Sequence, residues 1–289
     1  MVSILEKAQL IKSESDRIGQ FLKGLPSEAW SVKSACEAWE VRDVVAHLTG
    51  GVDRFAPNIT RGAGGDGSAP DGAPPAGVGD MDARLKANAQ VAIDFRESLG
   101  DDLVKTFNEN CARLNEVLAE LGEGDNDKPC YHPAGTISVG TYLNLRLTEL
   151  IVHEWDCRSR LEPSPALSAE SLPSILEMFP EFVVGRLFDP GVNIGAPTRF
   201  RFELTGAGAE SYDIVAGGGQ KAVMELASDK RPDAIIGCDT QTFVLIVYGR
   251  ITIEDQISDG RAFVSKDTTG VIKQSVSYTH LTLPTILLV

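Results

Sequence analysis

The chain holds four histidines, His47, His132, His153 and His280. Two of them fall in segments with helical periodicity. In ELIVH, Glu149 and His153 are four residues apart and so share one helical face. His47 lies on an earlier predicted helix beside Val44 and Leu48. Inward-facing imidazoles and carboxylates on different helices are how bundles build metal centres. Two imidazoles and one carboxylate leave a fourth tetrahedral position for water or substrate, the pattern of a catalytic zinc. The same residues also allow a plain reading. Glu149 and His153 can be a simple i,i+4 pair worth a few tenths of a kcal/mol, with His47 an ordinary half-buried histidine. Spacing alone leaves both open.

Other chemistries are excluded more easily. GAGGDG at residues 62–67 satisfies G-x-G-x-x-G, but a helix precedes it and proline follows, so it is a loop and not a dinucleotide fingerprint. GTISVG places its serine one position late for a nucleophile elbow. HEWDC has Cys157 where a zincin needs its second histidine. The cysteines, Cys36, Cys111, Cys130, Cys157 and Cys238, are odd in number with no C-x-x-C spacing, which implies free thiols and a reducing, cytoplasmic setting. A net charge of −14 argues against nucleic acid and against an anionic membrane surface. No apolar run reaches the roughly 18 residues of a membrane span, and the N-terminus is too charged for a signal peptide.

The elements that must carry these residues divide the chain in two. Helices are predicted over about residues 3–22, from Val41 with Pro57 weakening its end, over 81–121 with a kink or split at SLGDD, and over 138–161. Residues 62–82, with seven glycines and three prolines, read as a loose linker. Short turns between helices predict an all-α four-helix bundle over 1–162. A second, α+β domain is predicted over 163–274. It has a helix over Ala169–Leu187, strands in TRFRFEL, SYDIVA, KAVMELA and DAIIGCD, a helix in TQTFVLIVYGR, and strands in ITIED and RAFVS. Residues 275–289 fit no domain pattern and are expected to be a non-native or disordered tail, which removes His280 from the site candidates.

AWEVRDVVAHLTGG (Ala38 to Gly51) and RLTELIVHEWDCRSRL (Arg146 to Leu161) resemble, in order and separation, the hallmark segments of the mycothiol-dependent maleylpyruvate isomerase family. That family belongs to the DinB-like metal-binding bundles. Its C-terminal domain is similar to sterol-carrier folds, and KRPDAIIGCDTQTFVLIVYGRITIED fits that pattern. The resemblance spans about residues 1–270. It implies zinc, or another divalent metal, on His47, Glu149 and His153, with water as fourth ligand and mycothiol as thiol cosubstrate. It also implies a substrate-facing arginine at Arg250. The chemistry implied is addition of a metal-held thiolate to the double bond of a small cis-enone diacid, rotation about the resulting single bond, and expulsion of the thiol.

Two other functions use the same residues. One is a thiol S-transferase in detoxification, which keeps the thiol adduct. The other is a non-catalytic metal- or ligand-binding stress protein. Around the cluster, Arg146 is expected in a structural ion pair and Trp155 in the core. Asp156 is expected to bond a neighbouring arginine, with orientation of His153 as its alternative, and His132 is expected to be a loop histidine.

Overall fold

In the computed structural model of the chain, residues 1–36, 38–78, 81–187, 196–268 and 270 are described. The tail beyond 270, with His280, lies outside them. The chain forms two compact units that divide between Ile175 and Leu176, where the sequence places the join at 162/163. Two buried hydroxyls tie the intervening stretch to the helical unit. Ser171 Oγ donates to Glu14 and Ser174 Oγ to Asn144, each at 2.7 Å.

The first unit contains α1 (Ile4–Lys23), α2 (Val41–Ala63), α3 (Met81–Leu99), α4 (Leu103–Ala119) and α5 (Val139–Arg158). Helix α1 packs on α4 and α5, and α2 packs on the same two, so these four close a bundle while α3 lies against α2. Helices α1 and α5 start on side-chain caps. Ser3 and Glu6 form a reciprocal capping box on α1, and Ser138 Oγ accepts from Thr141 N on α5. Pro57 does not end α2, although it removes one backbone hydrogen bond. It sits on the exposed side while Phe55, Ala56, Asn58, Ile59 and Gly62 are buried, and that packing carries the helix on to Ala63.

Helix α5 differs from the two-faced helix read from the sequence. Every residue from Val139 to Cys157 is buried except Thr141 and Trp155, which are half-buried. A helix enclosed on all sides must find internal partners for its polar groups, and those groups include Arg146, Glu149, His153 and Asp156. A two-stranded ribbon, β1 (Pro129–Cys130) with β2 (Ile137–Ser138), leads into it.

The glycine-rich segment is not a loose linker where it is described. Arg61 binds Asp66 at 2.7 Å, Tyr131 Oη donates to the Pro74 carbonyl at 2.8 Å, and Gly77 N donates to the Pro133 carbonyl at 2.8 Å. Gly77 has φ +77°, which a side chain would strain.

Helix α6 (Leu172–Leu176) spans the division. The helix expected over 169–187 is thus broken, and its second part, Phe179–Leu187, is wound as a wider π-helix. Among its described residues, the second unit has a five-stranded sheet with strand order β5-β4-β3-β6-β7, built from β3 (Thr198–Thr205), β4 (Ser211–Gly217), β5 (Gln220–Leu226), β6 (Ala234–Asp239) and β7 (Ala262–Asp267). Only β3 and β6 run parallel. Phe200, Phe202 and Leu204 are the buried side of β3. Phe202 stacks at 4.9 Å on Phe243 of α7 (Thr240–Val247).

ITIED is a helix, not a strand: α8 is Ile253–Ser258. The β-branched residues suggested a strand, but Thr252 caps the segment by accepting from Asp255 N, and Glu254 and Asp255 suit a helix N-terminus.

Candidate metal centre between helices α2 and α5

Helices α2 and α5 run antiparallel along one seam. On α2 the seam carries His47, Gly51, Arg54 and Asn58, and on α5 it carries His153, Glu149, Leu145 and Tyr142, each set at helical spacing. The structure brings all three residues of the expected cluster together. His47 Nε2 lies 3.9 Å from Glu149 Oε1, and the His47 and His153 rings are 5.0 Å apart, edge to face. Gly51 makes room for them. A Cβ there would meet Arg146 Nη1 at 3.3 Å and Glu149 Oε2 at 3.5 Å.

All three side chains are buried. Among the described residues, His47 Nε2 and both Glu149 oxygens have no hydrogen-bond partner. Buried polar atoms left unpaired are costly and need a reason. Burial, then the charges of His153, Arg54 and Arg146, push His47 well below its usual range, so its imidazole is neutral and free to donate a lone pair. Burial raises the Glu149 carboxyl to about 7, against the pull of Arg146 and Arg54. A divalent cation would satisfy all these atoms together. A tetrahedral ion with ligand bonds of about 2.0–2.1 Å needs donors closer than the 3.9 Å between His47 Nε2 and Glu149 Oε1. Among the described residues these three side chains do not form a donor set within 4.8 Å, so binding requires them to move inward.

His153 is held from its other side. Its Nδ1–H donates to Asp156 Oδ2 at 2.8 Å, and the same oxygen accepts from Cys36 Sγ at 3.1 Å. Asp156 is thus placed to orient the imidazole, the alternative that the sequence offered beside a bond to an arginine. A proton on Nδ1 leaves Nε2 as the ligating atom. Cys36 Sγ, Asp156 and His153 are also a tight donor set, with all three atoms within 4.8 Å of one another. Their atoms already satisfy each other by hydrogen bonds, whereas those of His47 and Glu149 do not. The two candidate donor sets share His153.

Sequence reasoning passed over two neighbours, Cys36 and Trp39. Both sit in the turn before α2. Ala35 N bonds the Asp156 carbonyl at 3.0 Å, and Ser34 Oγ bonds the Trp39 carbonyl at 3.0 Å. The Trp39 ring lies 4.9 Å from His47 and 6.0 Å from His153 and walls the cluster. Nothing local in the sequence set Cys36 apart from the other four cysteines, all of which are free and buried.

Arg146 is fully buried, and the carboxylate beside it is that of Glu149. Its Nη1 donates to the Leu48 carbonyl at 3.1 Å and lies 3.5 Å from Glu149 Oε2, and the guanidinium sits over Phe55. His132 is in a loop but also lines a cavity of about 500 Å³ that opens along the same seam. Arg250 lies in the second unit, after Gly249, with Nη1 donating to the Tyr248 carbonyl at 2.9 Å.

A family model, the mycothiol maleylpyruvate isomerase N-terminal domain, matches residues 11–158. The chain belongs to this family. The matched segment contains His47, Glu149, His153, Asp156 and Cys36, and Arg250 lies outside it.

Two solved structures share the fold over most of the chain. One is the mycothiol-dependent maleylpyruvate isomerase, with TM-score 0.55 and 15% identity over 86% of this chain and 90% of that chain. The other is a histidine-to-alanine mutant described under the same enzyme name, with TM-score 0.56 and 14% identity over 91% and 92%. At such identity the likeness carries the fold and not the site. No curated protein matches the chain. No helix among the described residues is long and apolar enough to cross a membrane.

The raised Glu149 value has a measurable consequence for the metal-free isomerase-family chain. Between the ordinary value of 4.5 and the folded value of about 7 the folded state holds an extra proton. The stability this group contributes is fully present below the ordinary value and is lost as pH rises through the folded one. Chelator-treated protein is expected to melt at falling temperature from about pH 5 to 8, and Glu149→Gln to lose that part of the slope. Thermal denaturation across pH checks both.

Proposed function

We propose that the chain is a zinc-assisted, mycothiol-dependent isomerase of a small cis-enone diacid, with His47, Glu149 and His153 as metal ligands and Arg250 facing the substrate. The observation that carries this reading is the buried, unpartnered set of His47 and Glu149 atoms facing His153 across one seam. Zinc, when bound, would hold the thiol of the cosubstrate as thiolate. His47 stays neutral because burial keeps it so, which preserves its lone pair. Asp156 fixes the ring and tautomer of His153. Arg146 stays beside Glu149 and balances its charge. Trp39 closes one side against water.

The second unit is read as the sterol-carrier-like domain of the family. The free, buried thiols support a reducing, cytoplasmic setting. The net charge of −14 supports small-molecule partners over nucleic acid.

The test is an isomerisation assay with maleylpyruvate and mycothiol on zinc-loaded protein, wild type beside Arg250→Ala. The wild type is expected to turn over, and the variant to lose at least about tenfold in rate, because a charge-assisted contact to a carboxylate is worth about 1.5–3 kcal/mol. Adduct that accumulates without isomerisation, and is unaffected by the variant, would replace the isomerase reading with a thiol transferase.

A further inference from the structure

We propose that Arg54 binds a carboxylate of the substrate on the wall of the cavity that continues the α2–α5 seam beyond the metal cluster. The inference rests on the proposed reaction for the identity of its ligand. Arg54 follows His47 by seven residues, two turns on the same face of α2, or about 10 Å along the axis. The cavity of about 500 Å³ has Arg54, Phe55 and Asn58 from α2 and Tyr142 and Leu145 from α5 in its wall, the next turns of the two helices after the cluster, whose own three residues do not line it.

The other charges in that wall are already engaged. Arg61 binds Asp66 at 2.7 Å and the Ser68 carbonyl at 3.1 Å, and Asp53 pairs with Arg113. Arg54 is half-buried, and among the described residues it has no hydrogen-bond or ion-pair partner. Its charge is nonetheless felt by both His47 and Glu149, which puts the guanidinium within electrostatic reach of the cluster. A planar guanidinium offers a fork of donors that matches a carboxylate bidentately. In a chain of net charge −14, an unengaged cation beside an apolar wall is the local feature that would admit a small organic acid. The apolar wall, with Phe55 and Leu145, suits the carbon chain of such an acid, and the charge suits its end.

The experiment is calorimetric titration of maleate, a small stable cis-dicarboxylate, into the full-length zinc-loaded chain. Wild type, Arg54→Gln and Arg54→Lys are compared, with zinc content measured on each. Arg54→Gln is expected to keep its zinc and to bind maleate at least about tenfold more weakly, and Arg54→Lys to recover part of the loss. Equal affinity in wild type and Arg54→Gln, or no binding to the wild type, would overturn the inference. Repeating the titration on chelator-treated protein separates this site from the metal reading. Arg54-dependent maleate binding in a chain that takes up no zinc leaves the carboxylate site standing while the metal assignment falls. Zinc bound with Arg54→Gln unaffected removes the carboxylate site alone.

Discussion

Purified wild-type chain is expected to carry about one zinc, and His153→Ala none, when both are analysed for metal after the same dialysis. The imidazole supplies one of three protein ligands, and the two that remain hold a divalent ion poorly. Glu149→Gln is the more informative companion. It keeps the shape of the side chain and removes only the charge. If Glu149 and His153 were a structural pair, Glu149→Gln would lower stability by leaving the buried Arg146 without its charge partner, and would leave any bound metal untouched. If they are ligands, the same variant loses metal, and with it the rise in melting temperature that added zinc gives the wild type through binding to the folded state alone. Loss of the zinc-dependent shift in both variants, with folded far-ultraviolet spectra, supports the site. Full metal retention in Glu149→Gln would end the assignment.

How the site could be seen in the sequence follows from which contacts are local. Helices α2 and α5 were legible because their apolar spacing repeats over several turns, and His47, Glu149 and His153 lie within that repeat. The alternation in β3 was legible for the same reason, since Phe200, Phe202 and Leu204 point one way and Arg199, Arg201 and Glu203 the other. ITIED misled because β-branched composition favours a strand, while a single threonine cap with acidic residues behind it was enough to start α8.

Contacts made across the fold were not legible. Cys36 reaches Asp156 across 120 positions of sequence, through a turn whose own backbone bonds to α5. Arg54 reads as one more surface charge until the cavity beside it is seen. The enclosure of α5 on every side was also hidden, because its polar residues suggested a solvent face and in fact serve each other inside the bundle.

That internal service makes Asp156 the residue whose replacement separates the two donor sets. Asp156→Asn is expected to weaken zinc binding about 10- to 100-fold, measured by competition with a chromophoric chelator, while leaving the three ligands in place. The carboxylate accepts the Nδ1–H of His153 at 2.8 Å and so fixes which nitrogen faces the metal. A carboxamide is a weaker acceptor, carries no charge to raise the basicity of the imidazole, and can turn its NH₂ toward Nδ1, which would favour the wrong tautomer. Cys36 tests the same geometry from the opposite side. It donates to the shared oxygen at 3.1 Å, so Cys36→Ala removes a donor on Asp156 Oδ2 but leaves the bond to His153, and is expected to have the smaller effect on affinity. Cobalt substituted for zinc decides whether the thiol is a ligand. With metal on His47, Glu149 and His153, the cobalt protein shows no thiolate-to-metal charge-transfer absorption, and Cys36→Ala leaves its visible spectrum unchanged. Metal among Cys36, Asp156 and His153 would instead give that absorption in the wild type and lose it in the variant. It would also leave the unpaired atoms of His47 and Glu149 to be explained by something other than a cation.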